Sequence, residues 1–216
     1  AVYALSEAFN ARGYTMTGIR MGWEIHSREG AWNPRLLPII YPFPYQKLIM
    51  AEAAELGIDP FLVAGLIRQE SMFIAEIKSP AGAIGLMQIM PNTGRALARN
   101  VGISNFALGL LEQPEINVHL GVAYMADLLD QYRGRLASVL AAYSAGPHRG
   151  SPWSRFPEYG DEELFTERIP FAETRNYVKI VQQNARLYRA LYAEDDATRT
   201  PGAPATPRAT PAAAGD

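Results

Sequence analysis

Hydrophobic residues recur along most of this 216-residue chain at the three- and four-residue spacing of amphipathic helices. The strand signal is weak throughout, so the pattern predicts an all-α fold, or α with minimal β. The predicted helices cover residues 1–10, 15–28, 46–56, 60–71, 92–99, 114–132, 135–143 and 173–192. Residues 146–160 are rich in glycine and proline and are predicted to be a loop.

The helix predicted for residues 60–71 carries a carboxylate on its apolar side. Asp59 suits the N-cap position, and Pro60 suits the first helical position. At about 100° per residue, one arc of the helix collects the apolar side chains, which are Leu62, Val63, Leu66 and Ile67. Glu70 falls within this arc, whereas Arg68 points the other way. An ionised carboxylate among apolar side chains is costly, so Glu70 must be paired, hydrogen-bonded or protonated.

Glu70 has two interpretations at this point. A carboxyl that stays protonated near neutral pH can serve as a general acid. A structural glutamate that bonds a backbone amide or an arginine would show the same pattern, because perturbed carboxyls are only partial evidence of function. Glycosidases usually place a second carboxyl across the scissile bond. Neither Glu76 nor Asp127 stands out for that position.

The segment 79–91, which follows this helix, has the composition of a cleft wall. Proline and glycine residues interrupt it and permit another group to approach the backbone closely. The remaining residues are mostly small or apolar, and Ser79 and Gln88 supply the side-chain hydrogen-bonding groups. A buried strand or the edge of a helix would also fit so short an apolar run.

Composition and charge narrow the class of protein only slightly. The hydrophobic share of 48% is ordinary for a globular protein, and the length suffices for one or two domains with a sizeable core. The net charge of −2 gives no electrostatic reason to expect a nucleic-acid partner. No stretch approaches the roughly 20 apolar residues of a transmembrane helix, and cysteine is absent. The three histidines lack ligand spacing, so we expect no metal and no cofactor.

Four motifs occur in a fixed order along the chain. They are Glu70-Ser71, the segment 79–91, the run Ala142-Tyr143-Ser144-Ala145-Gly146-Pro147, and the segment 169–178. Together they resemble the catalytic domain of the soluble lytic transglycosylases, the lysozyme-like enzymes that cleave bacterial peptidoglycan. The resemblance covers roughly residues 41–192, and four motifs in order are far more specific than any one of them.

The resemblance implies a lysozyme-like helical fold and a particular reaction. Glu70 would protonate the β-1,4 oxygen between N-acetylmuramic acid and N-acetylglucosamine, and would then deprotonate the C6 hydroxyl that closes a 1,6-anhydro ring. The implied substrate-binding residues are Ser79 near the acetamido group, Gln88 and Met90 in the sugar subsites, Tyr143 beside Glu70, and Glu173 at the cleft rim or the peptide stem. An ordinary core tyrosine stays an alternative for Tyr143, and an acid stabilised by the helix dipole stays one for Glu173.

The sequence departs from the family pattern in two places. Ser144 stands where the common form of the motif has asparagine, which puts in doubt any substrate contact made by that amide. The segment His148-Arg149-Gly150 has no clear counterpart in the family motifs.

The resemblance also divides the chain and implies a location. Residues 1–40 are predicted to be a helical linker at the end of a superhelical region, 41–194 the catalytic domain, and 195–216 a disordered tail rich in alanine and proline. No signal peptide is visible, so we expect a mature or shortened form. A periplasmic or cell-envelope location and glycan strands as partner are implied by the resemblance alone. A hydrolytic lysozyme and an inactive peptidoglycan-binding module remain alternatives.

Overall fold

The computed structural model describes residues 1–197. The predicted disordered tail began at residue 195, but residues 195–197 continue the last helix, and the rest of the predicted tail, 198–216, lies outside the described residues. Its α-helices are α1 (Val2–Ala11), α2 (Thr15–Glu29), α3 (Leu36–Ile40), α4 (Gln46–Glu55), α5 (Pro60–Ser71), α6 (Pro91–Asn100), α7 (Pro114–Gln131), α8 (Leu136–Ala145), α9 (Pro147–Trp153), α10 (Glu162–Arg168) and α11 (Ala172–Ala197). Two 3-10 helices, Leu108–Glu112 and Pro157–Gly160, complete the helical structure of these residues. Extended pairing within them is limited to isolated bridges of Ile84 with Lys78 and Ile89. The predicted all-α fold is confirmed.

The prediction of a loop for residues 146–160 is wrong, because most of this segment is helical. α9 starts with Pro147 at its first position, where the missing N–H would have had no helical partner. Ser151 Oγ donates to the Pro147 carbonyl at 2.9 Å and stabilises the same turn. The short helices α3 and α10 were also not predicted. α10 is capped by Asp161, whose carboxylate accepts from two backbone N–H groups of its first turn.

The helix α5 lies at the centre of the core, with α4 and α11 packed against it. Its residues from Phe61 to Arg68 are all buried, as expected for a helix that is surrounded by other elements. At Gly65 an added Cβ would lie 2.7 Å from the Ala185 backbone nitrogen, so glycine permits the close approach of α11. Asn184 Nδ2 donates to the Gly65 carbonyl at 3.3 Å. This crossing sets the position of the end of α5 relative to α11.

The side of α5 opposite its apolar arc is buried as well. Arg68 is only 6% exposed, and its guanidinium carbon lies 4.1 Å from the centroid of the Tyr41 ring. The Tyr188 hydroxyl, which donates to the Pro42 carbonyl at 2.9 Å, holds α11 against the same segment. A position away from the apolar arc therefore does not place Arg68 in solvent. Aromatic rings cover its charge and attract it through their negative faces.

One buried asparagine fastens the segment 79–91 to α7. Asn117 Oδ1 accepts from the Met87 N–H at 2.8 Å. Its Nδ2 donates to the carbonyls of Ile84 at 2.9 Å and Leu111 at 2.7 Å. Gly85 has φ +83°, and a Cβ there would lie 2.1 Å from Asn117 Nδ2. The wall that follows α5 is thus a fixed surface.

The helices α1, α2 and α3 pack on one another. Asn10 Nδ2 donates to the Ile39 carbonyl at 2.9 Å, and Arg35 makes a two-pronged ion pair with Glu7 at 2.7 and 2.9 Å. The Tyr192 hydroxyl donates to the Tyr41 carbonyl at 2.7 Å, which links the end of α11 to the start of the predicted catalytic domain. The boundary at residues 40 and 41 stays a prediction. No helix within residues 1–197 has the length and apolarity needed to cross a membrane.

Candidate active site

Glu70 lies in the last turn of α5 and is half-buried. The Tyr177 hydroxyl donates to its Oε1 at 2.5 Å. Burial raises the pKa of Glu70 to about 7, and the hydrogen bond from Tyr177 opposes that rise. Near neutral pH the carboxyl is therefore present in both protonation states, which is what a group that first donates and then accepts a proton requires.

Tyr177 comes to Glu70 from α11 and is itself buried. Burial raises the pKa of its phenol well above the usual value, and the nearby Glu70 charge raises it further. Tyr177 therefore stays protonated and acts only as a donor to the carboxylate. Tyr177 belongs to the motif at residues 169–178, but the sequence predicted no role for it. One sequence feature could have indicated a role. Like Glu70, Tyr177 places a polar group on the apolar side of a helix, where its neighbours Val178 and Val181 are fully buried.

Tyr143 lies near the end of α8 and interacts electrostatically with Glu70. Its hydroxyl donates to the Met87 carbonyl at 2.8 Å, and its ring centroid lies 5.2 Å from that of Tyr124. Burial raises its pKa well above the usual value, and the Glu70 charge adds to the rise. Tyr143 is thus close enough to Glu70 to interact with its charge, while its hydroxyl donates its proton to the backbone of the cleft wall.

The two polar side chains of the segment 79–91 stabilise its turns. Ser79 Oγ accepts from the Ala83 N–H at 3.0 Å. Gln88, at φ +47°, donates through Nε2 to the carbonyls of Gly85 at 2.9 Å and Ile77 at 3.2 Å. Both side chains keep unused capacity, because the Ser79 hydroxyl still has its proton to donate and the Gln88 carbonyl oxygen has no donor among residues 1–197.

A cleft of about 350 Å³ brings together three of the predicted substrate-binding residues, Gln88, Met90 and Tyr143. Met90 is 43% exposed, which is unusual for a methionine and suits a contact with a ligand. Ser144 also lines the cleft, so the departure from the family pattern lies in its wall. Glu70 is not part of this lining, and neither is Ser79.

Glu173 is exposed in the first turn of α11, one helical turn before Tyr177. It does not line the 350 Å³ cleft. A carboxylate in the first turn is stabilised by the helix dipole, so its position agrees with either role considered for it. Among the side chains that the structure describes, no group of three or more His, Asp or Glu residues is arranged to hold a metal ion.

Comparison with known proteins identifies the family. The Transglycosylase SLT domain matches residues 47–164, and the chain belongs to this family. It is 34% identical over 159 residues to a soluble lytic murein transglycosylase of Salmonella typhimurium, covering 73% of this chain and 25% of that protein. The corresponding protein of Escherichia coli strain K12 is 35% identical over 154 residues, covering 70% and 23%. The chain thus spans about a quarter of the length of these curated relatives.

Solved structures agree with the fold. An inactive mutant of the lytic transglycosylase Slt from Pseudomonas aeruginosa is 30% identical, with a TM-score of 0.75 over 87% of this chain and 30% of that chain. The 70-kDa soluble lytic transglycosylase of Escherichia coli is 29% identical, with a TM-score of 0.74 over 86% and 29%. The predicted lysozyme-like helical fold is confirmed by this similarity.

Proposed function

We propose that this chain is a peptidoglycan lytic transglycosylase. It would cleave the β-1,4 bond between N-acetylmuramic acid and N-acetylglucosamine. The observation that carries the proposal is the Glu70–Tyr177 pair, in which a half-buried carboxyl with a pKa of about 7 accepts a 2.5 Å hydrogen bond. Membership of the Transglycosylase SLT family supports the same activity.

In the first step, protonated Glu70 donates its proton to the glycosidic oxygen as the bond from that oxygen to the anomeric carbon breaks. Tyr177 occupies Oε1, and no side chain among residues 1–197 donates to Oε2. Oε2 is therefore the oxygen available to carry the proton to the substrate. The acetamido group of the substrate stabilises the positive anomeric centre, so a second protein carboxylate is not required.

In the second step, the Glu70 carboxylate takes the proton from the C6 hydroxyl of the same muramic acid. The C6 oxygen then forms a bond to the anomeric carbon and closes the 1,6-anhydro ring. Attack within one sugar has a large effective-concentration advantage over attack by water. Tyr177 stabilises the carboxylate that exists between the two steps, because hydrogen bonding to a charged group favours its charged form.

The cleft supplies the proposed sugar contacts. Gln88 offers its free carbonyl oxygen to an acetamido N–H or a hydroxyl, and Met90 offers an exposed apolar surface to a sugar face. Ser79 would donate to the acetamido group or the glycan near Glu70. Tyr143 would hold the wall at Met87, and Glu173 would meet the substrate at the rim. A periplasmic or cell-envelope location, with glycan strands as partner, follows from this activity.

Mass spectrometry of purified sacculi digested by the protein tests the proposal. The expected products end in 1,6-anhydro-muramic acid. Products that all carry reducing ends would replace the proposal with a hydrolytic lysozyme. Binding to sacculi without any soluble product would point to a binding module. A Glu76→Gln variant, which changes an exposed glutamate beyond the end of α5, is the matched control for a Glu70→Gln variant.

A further inference from the structure

A second pocket, of about 500 Å³, lies where the end of α7 meets α9. Its wall includes the side chains of Tyr132, Arg133, Arg135, Ser151 and Ser154. None of its described lining residues is acidic. Arg133 and both serines are exposed, so the pocket opens to solvent.

The two arginines of this pocket form no ion pair with the described side chains. Among the side chains of residues 1–193, no carboxylate lies within ion-pair distance of Arg133 or Arg135. Glu158, the acidic neighbour of Tyr159 in the sequence, pairs instead with Arg168 at 3.8 Å. Two positive charges at one cavity without a counter-charge favour an anionic ligand.

Arg135 is positioned and still has a donor to offer. Its Nη2 donates to the Tyr159 carbonyl, and its guanidinium carbon lies 4.6 Å from the centroid of the Tyr159 ring. Its Nε is buried and has no hydrogen-bond partner in the part of the chain that the structure describes. The Arg135 guanidinium lines the pocket and is held in place by stacking, so its terminal N–H groups have a fixed orientation that suits a planar carboxylate.

The first turn of α9 separates this pocket from the cleft. The Pro147 carbonyl accepts from the Tyr132 hydroxyl at 3.4 Å and from Ser151 Oγ at 2.9 Å, and both donors line the pocket. Pro147 itself lines the cleft. Along α7, the cleft residue Tyr124 precedes Tyr132 by eight residues, or about 12 Å. A fully extended peptide of four residues spans about 14 Å.

We propose that this pocket binds a carboxylate of the peptide stem while the sugar that carries the stem occupies the cleft. The proposal rests on the proposed function, because it takes peptidoglycan as the substrate. It explains why the pocket is basic in a chain whose net charge is −2. It also gives a role to α9, which contains the segment His148-Arg149-Gly150 that has no counterpart in the family motifs.

The experiment compares two substrates, glycan strands that carry peptide stems and strands from which an amidase has removed them. For Arg133→Gln and Arg135→Gln, we expect KM for the stem-bearing strands to rise about threefold to tenfold, with kcat within twofold of the parent. KM for the stripped strands should not change. Arg99→Gln removes the same charge from an exposed position at the end of α6 and should alter neither value. If Arg135→Gln does not fold, the exposed Arg133→Gln still decides the outcome.

Direct binding of an isolated stem peptide separates this proposal from the proposed function. Calorimetry on the Glu70→Gln protein should detect the peptide, and adding Arg133→Gln should weaken its binding by a similar factor. Equal KM values of the parent for the two substrates, or equal peptide binding with and without Arg133→Gln, would overturn the proposal and leave the function standing. Displacement of the peptide by an equal concentration of inorganic phosphate would also overturn it, in favour of a general anion site.

Discussion

Tyr177 and Glu70 are 107 residues apart in the sequence, and the hydroxyl of the first donates to the carboxylate of the second at 2.5 Å. The contact exists because α11 crosses α5 closely at Gly65. It couples the proton affinity of Glu70 to the packing of these two helices.

Replacing Glu70 with glutamine should lower turnover of peptidoglycan by at least about 10²–10⁴-fold, because the amide can neither donate nor accept the proton. The side chain keeps its size, so the fold should be retained. Release of soluble muropeptides and far-UV circular dichroism on the same sample check both statements. A folded Glu70→Gln protein that cleaves within tenfold of the parent would remove Glu70 from the mechanism.

Replacing Tyr177 with phenylalanine should raise the pKa of Glu70 above about 7, because the lost hydrogen bond favours the carboxylate. The first step needs protonated Glu70, so kcat/KM falls as the pH rises through this pKa. That fall should move to higher pH in Tyr177→Phe. The control is Tyr143→Phe, whose hydroxyl bonds the Met87 carbonyl and not Glu70. If the fall of kcat/KM stays at the same pH or moves to lower pH in Tyr177→Phe, the role assigned to Tyr177 is contradicted.

The raised pKa of Glu70 should also make stability depend on pH. The folded value of about 7 lies above the ordinary value of 4.5, so the folded state holds a proton that the unfolded chain releases. The stabilisation is complete below about pH 4.5 and is lost as the pH rises towards 7, by at most about 3 kcal/mol. Urea unfolding at several pH values should show that the free energy of unfolding of Glu70→Gln, relative to that of the parent, increases as the pH rises through this range. A constant difference between the two proteins would mean that the pKa of Glu70 is ordinary.

Replacing Asn117 with alanine should destabilise the protein by about 3 kcal/mol, because it leaves three backbone groups of the cleft wall without their partner. At temperatures where the variant is still folded, its cleavage rate should also be lower than that of the parent, because the segment that carries Gln88 is no longer held to α7. Asn92→Ala, at an exposed position in the first turn of α6, is the control. If Asn117→Ala unfolds at the same urea concentration as the control, the wall is held by packing alone.

Much of the helical structure follows from local chemistry. Asp59 caps α5 through its carboxylate, and Pro60 begins the helix as the sequence predicts. The position of Glu70 among apolar residues of α5 is likewise a property of the helical repeat. The cap at Asp161 shows that α10 was also marked locally, by an acid that accepts from the backbone of its first turn.

The tertiary structure decided what each of these residues contacts. The helical repeat places Arg68 opposite the apolar arc, but only the packing of Tyr41 and Tyr188 buries it. The roles of Asn117 and Tyr177 could not be predicted from neighbouring residues, because their partners lie on other elements. Periodicity reports which side of a helix is apolar, and it carries no information about which distant element covers that side. The sequence therefore shows the carboxyl, whereas only the crossing of α11 and α5 brings to it the hydroxyl that lowers its proton affinity.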